Sequence, residues 1–386
     1  FRFRNSKAVD MGTPSDPFPL ITVEGPPRER GRQYGAAAQD RIANSIAVYM
    51  DAWISGEVGS RDEVYRRARQ FGGTIGDRFP ELYEEITGIA EGSGRDLEEI
   101  IALNARTELL FAEGVMDEGC TAAVILPEAS GGRTLIGQNW DWKAQCSDLP
   151  VVLRVRPEKG PAFLTFVEAG ILARHGLNDA GIGTCGAFLG CDHPPQAGIP
   201  IALMRRAVLQ SGSFPAAIGQ VVRSPHSFAS NHVLAHRDGE AIDLEMTPDN
   251  VFPMYATDGI LTHSNHFVAG LGHVRDTGIA LFPDSLYRHR RLRRRLEEQS
   301  RPLTITGFQA ALGDHFGHPH SVCRHPDDSG RSSNADPRAD IVTVASVVMD
   351  LTESLLWVAA GPPCETPHTA YSLDEETEGL AADAAE

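Results

Sequence analysis

The chain has 386 residues, enough for one large domain or two with a substantial core. Hydrophobic residues make up 41% of it and aromatic residues 7%, which is ordinary for a globular protein, and no apolar run approaches the roughly 18 residues of a membrane helix. The formal net charge of −17 argues against nucleic acid or an anionic membrane as a partner.

Helical periodicity dominates the first third of the chain. Apolar residues at three- and four-residue spacing predict helices over residues 28–54 and 61–79. A proline precedes a further predicted helix over residues 82–90, and Asp96 opens the next one. We interpret this part as a helical scaffold that ends in a polar linker, residues 113–119.

Strands dominate after the linker. The pattern predicts strands at residues 120–126, 151–155, 163–167, 228–236, 241–246, 259–263, 342–349 and 354–359, with two more short strands within 170–189. It predicts helices at residues 201–210, 215–222, 285–299 and 305–315. The tail, residues 374–386, is acidic and alanine-rich and is predicted to be disordered.

Cys120 stands at the start of the first of these strands. A turn at Gly131-Gly132 returns the chain, so that Trp140 and Asp141 can lie beside the strand's first residues. Most unpaired cysteines are core residues, so a free thiol in a β-core is the plain interpretation of Cys120 alone.

Six cysteines, at positions 120, 146, 185, 191, 323 and 364, are spread along the chain without a CxxC pair. In a chain of this length they predict reduced thiols in a cytoplasmic protein. Residues 1–7 are charged and lack the apolar region of a signal peptide, which favours the same compartment. One or two scattered disulfides in a secreted protein are the alternative.

One arginine-rich stretch has two competing interpretations. Residues 288–295 resemble a nucleic-acid patch, but on a helix Leu286, His289, Leu292 and Leu296 would form a buried stripe, with the arginines facing solvent or acidic neighbours. We favour this structural interpretation.

A histidine-rich segment could hold a metal ion, because Asp314 is followed by His315, His318, His320 and His325. Glycines and prolines make the segment a loop, and no ligand pair has the helical spacing of a metalloprotease motif. We therefore predict no metal and no cofactor.

Short sequences along most of the chain occur in the order of one known family. They include Asp117-x-Gly119-Cys120-Thr121, Gly137-Gln138-Asn139-Trp140-Asp141, Leu103-Asn104-Ala105-Arg106-Thr107-Glu108, Thr262-His263-Ser264-Asn265-His266, Pro283-Asp284-Ser285, Arg288-His289 and Val322-Cys323-Arg324. Over residues 19–363 the chain resembles the acyl-coenzyme A:isopenicillin N acyltransferase family, also called peptidase family C45. This resemblance implies an α+β fold, the four-layer αββα sandwich of antiparallel sheets of N-terminal-nucleophile (Ntn) hydrolases.

The resemblance also implies that Cys120 becomes a chain terminus through an N-to-S acyl shift at Gly119 and hydrolysis. A free α-amine has a reference pKa of about 7.7–8.0 and a thiol one of about 8.5, close enough for the amine to take the thiol proton. Gly119 suits the cleavage, because a residue without Cβ permits the close approach that thiol attack requires.

Further site residues follow from the matching motifs. Asp141 would orient the new α-amine, Asn265 would supply an oxyanion-hole N–H, and Thr121 offers a supporting hydroxyl. The family enzyme also carries an arginine shortly before its penultimate strand, for which Arg331 and Arg338 are both candidates.

We therefore predict a precursor with an N-terminal extension (1–18), a helical segment (19–119), a nucleophile-bearing segment (120–373) and the acidic tail, with 19–373 forming one structural domain. It would cut itself at Gly119–Cys120, its two fragments would stay associated, and it would cleave a small N-acyl amide through a Cys120 acyl-thioester. The acyl group would pass to water or to another amine. An unprocessed, non-catalytic binding protein is the alternative, and a papain-like protease is disfavoured because a strand follows Cys120.

Overall fold

Two β-sheets face each other at the centre of the structure, and helices cover the outer side of each. The computed structural model describes residues 16–56, 58–110, 119–326 and 340–374. Most of the predicted N-terminal extension, the linker before Gly119 and all but the first residue of the predicted tail lie outside the described residues.

Fourteen strands are found in the described part of the chain. In chain order they are β1 (Leu20–Gly25), β2 (Gly119–Ile125), β3 (Leu135–Lys143), β4 (Pro150–Pro157), β5 (Phe163–Glu168), β6 (His175–Asn178), β7 (Ile182–Cys185), β8 (Ser230–His236), β9 (Glu240–Met246), β10 (Val251–Met254), β11 (Ile260–His263), β12 (Ile341–Asp350), β13 (Leu355–Ala359) and β14 (Thr369–Ser372).

Twelve α-helices accompany the strands within the same residues. They are α1 (Pro27–Ala37), α2 (Gln39–Ser55), α3 (Arg61–Arg78), α4 (Pro80–Ser93), α5 (Leu97–Asn104), α6 (Arg106–Leu110), α7 (Pro127–Ser130), α8 (Ile201–Leu209), α9 (Phe214–Val222), α10 (Gly278–Leu281), α11 (Ser285–Glu297) and α12 (Ile305–Leu312). None of the described helices has the length and hydropathy needed to span a bilayer.

The strands form two sheets that are antiparallel apart from one edge. The first sheet has the order β1-β4-β5-β6-β7-β8-β9-β10, in which only β1 and β4 run parallel, and the second has the order β11-β2-β3-β12-β13-β14. Their inner faces share one core, in which the Trp140 ring of β3 lies 5.9 Å from the Phe166 ring of β5.

Helices α1, α8 and α9 contact the first sheet, and α11 and α12 contact the second. A separate apolar cluster joins Leu292 and Leu296 of α11 and Phe308 of α12 to the outer face of the second sheet. The resulting order of helix, sheet, sheet and helix confirms the predicted α+β, αββα fold class.

The hairpin that contains Cys120 has the predicted form. Helix α7 and two glycines with positive φ, Gly131 at 74° and Gly132 at 110°, reverse the chain after β2. Strand β3 then pairs antiparallel with β2, which sets Asp141 opposite Gly119 and Trp140 opposite Cys120. All seven residues of β2 are buried, since the strand lies between β3 and β11.

The single helix predicted over residues 28–54 is wrong, because the chain turns at Ala38 between α1 and α2. Helix α1 crosses α4 at backbone contact, and a Cβ added at Gly31 would lie only 2.1 Å from the Glu85 carbonyl oxygen. This crossing fixes the direction of α1, whereas α2 directs Ile42 and Tyr49 into the main core. One straight helix could not pack against α4 and also place these two side chains in the core.

Three strands went unrecognised in the sequence, namely β1, β10 and β14. Each is an edge strand of its sheet and pairs on one side only. Such strands are short and half-exposed, so their sequences carry little of the buried apolar pattern on which strand prediction depends.

Candidate active site

The Gly119–Cys120 junction lies at the start of the buried strand β2. The Cys120 side chain is fully buried. A Cβ built on Gly119 would lie 3.0 Å from both Cβ and Oδ2 of Asp141, across the strand pair. The absence of a side chain at position 119 therefore lets the peptide bond lie against the Asp141 carboxylate.

Side chains from two other segments hold the backbone of Cys120. Its N–H donates to Oδ1 of Asn265 at 2.8 Å, and its carbonyl oxygen accepts from Nη1 of Arg288 at 2.6 Å. Arg288 also donates through Nη2 to the same Asn265 oxygen at 2.8 Å. The residue that carries the thiol is thus fixed on both sides of its Cα.

The thiol itself is protonated at neutral pH in this structure. Burial, followed by the negative charge of Asp141, raises the pKa of Cys120 to about 12. Arg205, Arg288 and a hydrogen bond with Gln138 lower it, but they do not compensate for burial. Because the thiolate is the nucleophilic form, Cys120 needs a base close by before it can attack a carbonyl.

Asp141 is fully buried in the described structure and has one carboxylate oxygen without a hydrogen bond. Its Oδ1 accepts from the Thr343 hydroxyl at 2.7 Å, whereas Oδ2 faces Gly119 and lies 3.8 Å from Nε of Arg324. Burial raises the pKa of Asp141, and the Arg324 guanidinium opposes that rise. A buried carboxylate oxygen without a hydrogen bond is costly even beside a guanidinium, so its position beside the junction is consistent with a role there.

Asn265 follows β11 and approaches Cys120 through its oxygen. Oδ1 accepts from the Cys120 N–H and from Nη2 of Arg288, and Nδ2 donates to the Phe188 carbonyl oxygen at 3.1 Å. These partners determine the orientation of the side-chain amide. The N–H donor role predicted for Asn265 concerns the oxyanion of a reaction intermediate, whereas its contact with Cys120 in this structure is that of an acceptor.

Thr121 supports the site indirectly, because its hydroxyl oxygen accepts from Nη1 of Arg288 at 2.6 Å. That hydroxyl therefore helps to place Arg288, which in turn holds the Cys120 carbonyl.

Two buried arginines, Arg288 and Arg324, complete the cluster, and neither was predicted from the sequence to have a role in the site. The predicted stripe on α11 is partly wrong: Leu286 is 46% exposed, and Arg288 is buried in line with Leu292 and Leu296. Arg288 donates through Nε to Asp284 at 2.8 Å, and Arg324 donates to the same carboxylate.

Asp284, Arg288 and Arg324 all fall within the family sequences quoted above, which is the signal that could have identified them. The two candidates weighed for the family arginine, Arg331 and Arg338, lie outside the described residues. Among the described residues it is Arg324 that lies close to Asp141.

The histidines nearest to the site in sequence have structural partners. In His263, Nδ1 faces the Ser264 carbonyl oxygen at 2.7 Å and Nε2 faces a Glu245 carboxylate oxygen at 2.8 Å. Both nitrogens therefore donate, and the nearby carboxylates of Asp243 and Glu245 outweigh burial and raise the pKa of His263 to about 9. An imidazolium in this environment has no lone pair with which to act as a base.

The chain is similar in sequence to known acyltransferases. Residues 128–361 match the family described as acyl-coenzyme A:6-aminopenicillanic acid acyl-transferase. The chain is 31% identical over 308 residues to the 40 kDa form of acyl-coenzyme A:6-aminopenicillanic-acid-acyltransferase from Emericella nidulans, an alignment that covers 79% of this chain and 84% of the relative.

Solved structures with similar folds include two hydrolases. Penicillin V acylase from Agrobacterium tumefaciens is 13% identical, with a TM-score of 0.44, and the match covers 67% of this chain and 89% of the acylase. A variant of conjugated bile acid hydrolase from Clostridium perfringens is also 13% identical, with a TM-score of 0.43, and the match covers 65% of this chain and 92% of the hydrolase.

Proposed function

The chain belongs to the acyl-coenzyme A:6-aminopenicillanic acid acyl-transferase family. From this premise we propose that it is an Ntn enzyme that cuts its own Gly119–Cys120 bond and then cleaves small N-acyl amides through Cys120. The observation that carries the proposal is the arrangement at the junction, where Asn265 and Arg288 hold Cys120 and the Asp141 carboxylate faces Gly119.

Self-cleavage begins when the Cys120 thiol loses its proton and its sulfur attacks the Gly119 carbonyl carbon. Asp141 is the candidate acceptor of that proton, because burial raises its pKa and its Oδ2 lies beside the junction. Collapse of the tetrahedral intermediate breaks the C–N bond, and the amine of Cys120 leaves with a proton. Water then hydrolyses the Gly119 thioester, which gives a chain that ends in the Gly119 carboxylate and a second that begins at Cys120.

The new α-amine then replaces Asp141 as the base. Asn265 Oδ1 already accepts from this nitrogen, and Asp141 Oδ2 is a second acceptor for the additional N–H groups that cleavage creates. Held in this way, an amine with a pKa of about 7.7–8.0 in its reference state can take the thiol proton near neutral pH. The sulfur attacks the substrate amide, the substrate amine leaves, and the acyl group remains as a thioester for water or another amine.

A cavity near the site has the size of a small acyl substrate. It has a volume of about 460 Å³, and its lining combines aromatic and charged side chains, among them Phe71, Phe228, Arg66 and Glu108. The Phe228 ring stacks on Phe188 with 5.0 Å between centroids, and the Phe188 carbonyl accepts from Asn265. Phe188 therefore connects the lining of this cavity to the asparagine.

The proposed function is tested with the two-chain protein and a panel of N-acyl amino acids, β-alanyl amines and penicillins. We expect at least one amide to be consumed, and rapid acid quenching to leave a mass increase of one acyl group on the chain that begins at Cys120. Failure to consume any amide, or an acyl group on another residue, would contradict the proposal.

Asn265→Ala is expected to lose at least ~100-fold in kcat, the usual effect of removing one oxyanion donor. Asn265→Asp is the matched variant, because it keeps an oxygen that can accept from Cys120 and Arg288 but lacks the N–H group. Both variants should be slow if the N–H stabilises the oxyanion. Recovery in Asn265→Asp would assign the residue to holding the amine, and near-normal turnover of a folded Asn265→Ala would remove it from the site.

A further inference from the structure

A cluster of two cysteines and two histidines lies behind Arg324, outside the site described so far. His315 follows α12, Cys323 and His325 flank Arg324, and Cys364 lies in the turn after β13. One nitrogen or sulfur atom from each of the four side chains lies within 4.8 Å of all the others. Three separate segments of the chain thus direct two nitrogen and two sulfur donor atoms at one point.

Four of the six separations between these atoms are close to the edges of a zinc-centred tetrahedron. The two Nε2 atoms of His315 and His325 are 3.1 Å apart, and the two sulfurs of Cys323 and Cys364 are 3.6 Å apart. The His325 nitrogen lies 3.5 Å from the Cys323 sulfur and 3.2 Å from the Cys364 sulfur. Zinc bonds are about 2.3 Å long to sulfur and about 2.0–2.1 Å long to nitrogen. In a tetrahedron they place two sulfurs roughly 3.8 Å apart, a sulfur and a nitrogen roughly 3.5 Å apart, and two nitrogens roughly 3.3 Å apart.

The types of donor atom favour zinc over other metal ions and over a disulfide. Calcium and magnesium take oxygen ligands, and iron–sulfur clusters are held mainly by thiolates, whereas two thiolates with two imidazoles form a common zinc set. A disulfide requires a sulfur–sulfur distance of about 2.05 Å and leaves the convergence of the two histidines unexplained. We propose that His315, Cys323, His325 and Cys364 bind one zinc ion, contrary to the prediction from the sequence that the histidine-rich segment holds no metal.

The proposed ion has a structural role, because four protein ligands leave no open position for a substrate or water. It joins the segment after α12 to the turn after β13. The two cysteine ligands in these segments, Cys323 and Cys364, are 41 residues apart in the sequence. Arg324 stands between two of the ligands in sequence, and its side chain points to Asp141 and Asp284. The ion would thus fix the backbone from which Arg324 reaches the catalytic cluster.

The test is the metal content of the full chain, purified under reducing conditions and supplied with zinc before desalting. We expect about one zinc per chain in the native protein and a loss of at least ~10-fold in His315→Ala and Cys364→Ser. Both residues are exposed, so these variants should keep the fold. Cobalt in place of zinc should show thiolate-to-metal charge transfer in the native protein and lose it in Cys364→Ser.

The matched controls are of the same residue types, and one of them comes from the same loop. His318 is exposed and lies three residues from His315, and Cys191 is a half-buried thiol far from the cluster in sequence, so His318→Ala and Cys191→Ser should retain the ion. A native protein that holds no zinc, zinc retained equally in all four variants, or a mass lower by two hydrogens from a Cys323–Cys364 disulfide would each overturn the proposal. None of these readouts depends on cleavage or amide hydrolysis.

Discussion

Cys120→Ala is expected to accumulate as one intact chain, whereas the native protein separates into a chain that ends at Gly119 and a chain that begins at Cys120. The variant loses the sulfur that forms the thioester with the Gly119 carbonyl, while its backbone contacts with Asn265 and Arg288 remain available. Amide turnover should fall to background at the same time, because one sulfur serves both reactions. Intact mass and the N-terminal sequence of each fragment measure the outcome.

Cys185→Ala provides the control for this experiment. Cys185 is also fully buried in a strand, but in the first sheet, so its loss removes a core thiol without removing the nucleophile. We expect this variant to be cut normally. Cleavage of Cys120→Ala at the same bond would assign the cut to another protease, and an uncut native protein would favour the unprocessed binding protein.

Adding one residue before Cys120 should abolish turnover in a protein that needs no cleavage step. A chain that starts at Cys120, co-expressed with residues 1–119, should be active. One extra residue places the nitrogen of Cys120 back in a peptide bond, where it has no lone pair for the thiol proton, although the thiol and Asp141 are unchanged. The measurement is the amide hydrolysis rate of the two proteins, each confirmed by mass.

The same proteins distinguish the α-amine from a histidine base. Replacing His263 or His266 should lower the rate far less than Asp141→Asn. His263 already donates from both nitrogens, and His266 Nδ1 lies 2.7 Å from the Ser285 hydroxyl oxygen. Asp141→Asn instead removes the buried charge opposite Gly119. An inactive His263 or His266 variant, together with an active extended protein, would replace the amine with a cysteine–histidine dyad.

The hairpin that carries the nucleophile is predictable from the amino-acid sequence. A strand, a Gly-Gly reversal and a second strand lie within 25 residues of one another, so their pairing is local and the alternation of side chains fixes the register. For that reason the sequence alone places Asp141 beside the junction. The αββα fold and the identity of Asn265 follow from sequences that match a family rather than from periodicity.

Which polar groups meet at the junction depends on tertiary packing. Periodicity shows which residues of α11 share a face, but it does not show that Arg288 on this face is buried in the interior. Arg288 can be buried because the Cys120 carbonyl, Asn265 and Asp284 supply its acceptors. Those acceptors come from three separate parts of the chain.

The same limit applies to the acceptor role of the Asn265 oxygen and to the cluster that joins Cys364 to His315. Each depends on atoms from distant segments, and their separation in sequence leaves no local pattern to recognise. Neither was predicted from the sequence, because only the packing of the two sheets and their helices brings these groups within a few ångströms of each other.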